Sequence, residues 1–105
     1  MAIVLGSYNL PTSNLEAYGK WAVGNIDSVI LKAPGIRSFQ AFRNFLLNSP
    51  DVLLFYDFDT PENAVQFVRS AAYAKLMAEA KSMGVTDLNV QLWDASPFSP
   101  EPLRP

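Results

Sequence analysis

Two segments of this chain are apolar on both faces of an extended strand, and nothing else in the sequence limits the fold as much. In residues 52–59, Val52, Leu54, Tyr56 and Phe58 alternate with Leu53, Phe55, Asp57 and Asp59. In residues 2–9, Ile3 and Leu5 stand on one side and Val4 on the other. Such runs suit strands covered from both sides. Two further segments alternate between dry and wet. Phe39, Ala41 and Phe45 oppose Ser38, Gln40 and Asn44 in a strand predicted over 36–47, and Leu88, Val90 and Leu92 oppose Asp87, Asn89 and Gln91 over 85–95. The doubly apolar strands belong at the centre of a sheet and the alternating ones at its edges.

Helical periodicity fills the gaps. From Leu15, the residues Tyr18, Ala22, Ile26, Val29, Ile30 and Ala33 recur at the helical spacing. Thr12, Ser13 and Asn14 offer capping oxygens before this helix, and Pro34-Gly35 stops it. Gly19 and Gly24 within it are expected to permit close packing. Thr60-Pro61-Glu62-Asn63 carries a capping hydroxyl, proline at the first helical position and an acid in the first turn. The stripe that follows, Ala64, Val65, Val68 and Ala72, changes phase to Tyr73, Leu76, Met77, Ala80 and Met83, which predicts a break near Ser70-Ala71. The order βαββαβ results. Its halves also echo each other at a shift of about fifty residues, with Tyr8 on Phe58 and Pro11 on Pro61. The fold class is therefore α+β: a ferredoxin-like domain over residues 1–95 with a four-stranded antiparallel sheet. Residues 96–105 hold four of the eight prolines and read as an extended tail.

Right-handed crossovers place both helices on one side of such a sheet. The other side would then expose more apolar surface than monomers usually carry. The expected cover is the same face of a second copy, giving a homodimer in which two sheets face each other. The alternative is a monomer with a short third helix or the proline tail over the patch. In the dimer the tail is expected to lie on the assembly with Phe98 as its anchor, or to be a disordered end.

Composition narrows the chemistry. There is no cysteine and no histidine in 105 residues, so thiolate or imidazole metal ligation and a histidine base are excluded. Asp57 and Asp59 form a carboxylate pair without a third ligand, and neither a metal nor another cofactor is expected. The net charge of -2 with no basic block argues against a nucleic-acid partner. No apolar run approaches the roughly 20 residues of a membrane span, and the short apolar start lacks the features of a signal peptide. A soluble cytoplasmic protein with no membrane partner is the expectation.

Three stretches resemble the dimeric α+β barrel superfamily, and in particular its antibiotic-biosynthesis-monooxygenase-like domains. They are Pro34-Gly35-Ile36-Arg37-Ser38-Phe39, the run from Val52 to Thr60, and Ser70-Ala71-Ala72-Tyr73 before a second helical stretch. The resemblance spans about residues 2–95 and implies two facing sheets in a dimeric barrel. It also implies cofactor-free oxygenation of a small aromatic ligand, a phenol, anthrone or quinol, held between helices and sheet. Members often carry Trp where Phe58 stands and His near Phe67 or Ala72. This chain has neither, which sets aside the haem-degrading branch.

On that resemblance, Trp21, Asn25, Tyr56 and Arg43 are the candidate catalytic residues. Asn25 and the Trp21 indole lie one helical turn apart and can donate to an oxyanion. Arg43 interrupts an apolar strand face where it can hold an anion. Tyr8, Tyr18, Phe58, Phe67 and Tyr73 are the candidate substrate-binding residues. The plainer reading of the same residues is a half-buried aromatic edge, satisfied core tyrosines and a solvated arginine. A non-redox isomerase or cyclase, and a dimeric binding or stress-associated protein without turnover, remain open beside the oxygenase.

Overall fold

The segments with apolar residues on both faces become the central strands of a single sheet. The structure is a computed structural model that describes all 105 residues. It contains β1 (Ala2–Asn9), α1 (Leu15–Ser28), β2 (Ile36–Arg43), β3 (Val52–Phe58), α2 (Pro61–Val68), α3 (Ala71–Ser82) and β4 (Thr86–Asp94). The sheet order is β2-β3-β1-β4 with every neighbouring pair antiparallel, the ferredoxin-like α+β arrangement expected from the pattern.

The register fixes which residues meet the helices. Ala2 pairs with Phe58, Val4 with Tyr56 and Tyr8 with Val52, so these side chains share one face. That face holds the core: Val4, Tyr56 and Phe58 are almost completely buried. Phe67 is its hub, with ring centroids 5.4 Å from Tyr56, 5.3 Å from Phe58 and 5.0 Å from Tyr73.

The expected break in the second helix is present and has a clear cause. Ser70 Oγ accepts from the Tyr73 N–H at 3.1 Å and its hydroxyl donates to the Phe67 carbonyl at 2.7 Å. One side chain thus ends α2 and starts α3. Thr60 caps α2 in the expected way, accepting from the Asn63 N–H at 3.2 Å.

Other boundaries differ from expectation. The first helix stops at Ser28, and residues 30–32 form a single 3-10 turn that directs Ile30 into the core. Val29 already has non-helical dihedrals (φ -120°, ψ -58°), and Ser28 and Asn25 donate to the carbonyls four residues back rather than supporting a further turn. Asn14 sits at the start of α1 in the left-handed region (φ 56°) and makes no capping bond with its side chain. Gly19 and Gly24 do not serve close packing, since no atom lies within 4 Å of where a Cβ would stand on either. The second strand ends at Arg43 rather than at residue 47. Asn44 is responsible: its amide donates to Asn48 and to the Pro50 carbonyl, and its oxygen accepts from the Leu46 N–H. The loop closes on itself, and Phe45 is exposed instead of continuing the dry face of β2.

The opposite face of the sheet is open. Leu5 lies beside Phe55, Leu53 beside Phe42, and Ile3 beside Trp93. Phe42, Phe55 and Trp93 retain 43%, 37% and 56% of their surface exposed. The tail does not shield them, because Phe98 and Leu103 are themselves almost fully exposed. The helix that follows the break, α3, packs its buried Tyr73, Leu76 and Ala80 into the core on the helix side.

One glycine is indispensable. Gly35 has φ +81°, and a Cβ there would run into the side chains of Asp59 and Asn63. Gly35→Ala is expected to cost about 1–3 kcal/mol, combining backbone strain with the steric conflict. Urea unfolding of the two proteins measures it, and an unchanged midpoint would contradict the account.

Candidate functional site

On the helix-facing side of the sheet, paired residues form rows across the strands. One row is Phe39–Tyr56–Val4, the next is Ala41–Leu54–Gly6–Val90, and the last is Arg43–Val52–Tyr8. The row that includes Phe58 and Ala2 is filled by the core around Phe67. Beyond it the packing opens. Gly6 has no side chain, and Gly19 and Ala22 of α1 are small, so a cavity of about 430 Å³ remains between helices and sheet. It separates the larger core from a smaller cluster of Tyr8, Tyr18, Ala80 and Val85. Its size lies within the range of small-molecule sites, about 300–1,000 Å³.

All four tyrosines of the chain, Tyr8, Tyr18, Tyr56 and Tyr73, line this cavity. Tyr8 and Tyr18 hydroxyls bond to each other, which joins β1 to α1 across one end. Burial pushes every one of these phenols above its ordinary value, Tyr73 to about 12. Desolvation is the main cause in each case. For Tyr18 the bond from Tyr8 and the nearness of other phenols add to it, and for Tyr56 the nearness of Tyr73 and Tyr8 does. At neutral pH the four hydroxyls are uncharged donors and not bases.

Trp21, Asn25 and Arg43 also line the cavity. The Trp21 indole N–H is directed to Glu79 Oε1 at 3.4 Å, a long contact from α1 to α3. Asn25 Nδ2 donates to the Trp21 carbonyl at 2.9 Å. The indole N–H and one amide N–H are therefore engaged within the protein, while the hydroxyls of Tyr56 and Tyr73 have no partner. Seven of the nine residues singled out from the sequence thus meet at one cavity. Phe58 and Phe67 do not. Phe58 is fully buried, and Phe67 borders a second, more polar cavity of about 360 Å³ beside Lys32, Asn63 and Gln66. Sequence reasoning missed Leu10, Leu76 and Met77, which complete the apolar wall. Leu76 and Met77 belong to the stripe of α3, but only the row geometry shows that the stripe borders empty space.

No cluster of three or more His, Cys, Asp or Glu side chains is placed to hold a metal ion. No helix is long and apolar enough to cross a membrane.

No protein-family model and no curated protein matches the sequence. Solved structures do match in shape. One, described as "a putative antibiotic biosynthesis monooxygenase" from Deinococcus radiodurans, superposes with a TM-score of 0.76 at 14% identity, covering 99% of this chain and 97% of that one. An antibiotic biosynthesis monooxygenase superposes with a TM-score of 0.72 at 11% identity, over 92% of this chain and 100% of that one. SnoaB, a cofactor-independent oxygenase from Streptomyces nogalater, gives 0.70 at 10% identity over 95% and 97%. At these identities the likeness is one of fold. The chain has the α+β subunit fold of the antibiotic-biosynthesis-monooxygenase-like proteins, the fold that the sequence resemblance implied.

The raised phenols have a consequence for stability. A group whose folded pKa lies above its unfolded value stabilises the fold fully below that unfolded value and loses the contribution as pH rises through the folded one. Stability is therefore expected to be flat through neutral pH and to fall above about pH 10, where unfolded tyrosine ionises. Phenolate absorbance of the folded protein should lag that of the unfolded chain at that pH, with Tyr73 titrating at about 12. Ordinary tyrosine titration in the folded protein would refute the burial of these hydroxyls.

Proposed function

We propose that the protein is a cofactor-independent monooxygenase that acts on a small aromatic substrate, a phenol, anthrone or quinol, in the cavity between helices and sheet. One observation carries the reading: an apolar cavity lined by four neutral phenols. Such donors stabilise a developing enolate or phenolate oxygen and so ease loss of the substrate's own proton. The cavity opens to solvent, which can take that proton, and its apolar wall offers few groups to hold water against the resulting carbanion. For an anthrone the overall change is balanced without a further reductant. The methylene carbon gives up two hydrogens and gains a carbonyl oxygen from O₂, and the second oxygen leaves as water. Tyr56 and the Tyr8–Tyr18 pair are the proposed oxyanion donors, with Trp21, Asn25 and Tyr73 shaping the ring site. The likeness to SnoaB supports this chemistry.

A dimeric binding protein without turnover is the second reading, favoured by one feature: no carboxylate or imidazole lines the cavity to take a proton. Oxygen uptake with an anthrone, without added flavin or metal, separates the two. The expected result is one O₂ consumed per carbonyl formed, faster than the spontaneous reaction. Tyr56→Phe is expected to lower kcat/KM about tenfold to a hundredfold, the scale for one oxyanion donor. A rise in melting temperature with ligand but no uptake would replace the oxygenase by the binding protein.

The homodimer belongs to the same proposal. The open sheet face with Phe42, Phe55 and Trp93 is apolar, and Asp57 on it has a buried Oδ1 with no hydrogen-bond partner. A second copy laid on this face would cover the apolar side chains and can supply the missing donor. Light scattering is expected to give twice the chain mass of 11.6 kDa, and Phe55→Glu to halve it. A wild-type protein that stays at the single-chain mass would exclude this pairing.

A further inference from the structure

We propose that the ligand of the cavity is an aromatic acid, whose carboxylate binds Arg43 at the rim while its rings lie across the sheet toward Tyr8 and Tyr18. This rests on the cavity being a ligand site and deepens the functional reading by naming the substrate class. Of the 25 residues that line the cavity, 21 are hydrophobic, and Arg43 alone carries a charge. Arg43 ends β2 and is exposed, which places its guanidinium at the rim rather than the floor.

The guanidinium forms no ion pair within the chain. The ion pair of this chain joins Lys20 to Glu16, 3.5 Å apart on the outer side of α1. Asp51 precedes Val52, the strand partner of Arg43, but its carboxylate accepts from the Leu10 N–H at 2.9 Å. An unpaired guanidinium beside an apolar wall is suited to a carboxylate, which it holds through two parallel hydrogen bonds. The register supplies the length of the ligand. Arg43, Val52 and Tyr8 form one row, so Arg43 and Tyr8 stand two strand spacings apart, roughly 10 Å. A fused ring system with an acid at one end spans that distance. The acid is anionic in water at neutral pH and meets the cation before the rings are desolvated, which sets the direction of insertion.

The test is calorimetric titration of the full chain with anthracene-2-carboxylate and with its neutral carboxamide. The carboxylate is expected to bind at least about tenfold more tightly, the scale of a charge-assisted hydrogen bond, and the difference to shrink in high salt. Arg43→Gln is expected to bring the carboxylate down to the carboxamide, and Arg43→Lys, which keeps the charge without the fork, to retain part of the preference. Circular dichroism of each variant checks the fold, and the salt dependence of the wild type stands without any variant. Equal binding of the two compounds, a preference that survives in Arg43→Gln, or binding of neither overturns the inference. A carboxylate preference without oxygen uptake would overturn the oxygenase and leave the aromatic-acid site intact. Oxygen uptake from neutral anthrones with no charge preference would do the reverse.

Discussion

The pairing of β1 with β3 governs the rest of this structure. Ala2 through Tyr8 meet Phe58 through Val52 in unbroken antiparallel register. Because side chains alternate along a strand, a slip of β1 by one residue would carry Ala2, Val4 and Tyr8 to the open face and bring Ile3 and Leu5 under the helices. Both sets are apolar, so burial alone distinguishes them weakly. Shape distinguishes them better. Gly6 and Tyr8 create a floor with a gap and a hydroxyl, and Phe58 beside Ala2 provides the flat surface on which Phe67 seats. The helix layer can assemble on only one of the two faces.

The cavity follows from the same asymmetry. Phe67, at the end of α2, fills the space above Phe58 and Tyr56, and the chain then breaks at Ser70 to reset the phase of α3. Past that point no large side chain descends from α1 onto Gly6. Gly19 stands over open space, so it widens the cavity instead of drawing the helix down. Four of the polar groups that line it are phenols, which tolerate burial when neutral and keep a donor at the end of an apolar ring.

Much of the architecture is legible in the sequence because it depends on periodicity. The alternation in β2 and β4, the doubly apolar β1 and β3, and the phase change near Ser70 lead directly to the observed order of elements. Features that depend on single side chains are less visible. The early end of β2 comes from the amide of Asn44 folding its own loop, and the early end of α1 from Val29 and the backward bonds of Asn25 and Ser28. The tyrosines stand out as amphipathic residues on apolar stripes, and the cavity gathers all four. Phe58 and Phe67 carry no pattern that separates a core ring from a cavity wall, since the difference is the size of what sits opposite. The engagement of Trp21 with Glu79 joins residues 58 positions apart, beyond the reach of local spacing.

The contact between Tyr8 and Tyr18 gives this chamber a property that a single phenol lacks. Either hydroxyl can be the donor in the pair. Rotation of two O–H bonds exchanges the roles while every carbon stays in place. The end wall can therefore present a hydrogen to an anion from one strand or from one helix, whichever side the guest approaches. One contact in the cavity wall can thus adjust by moving protons alone, with every side chain left in place.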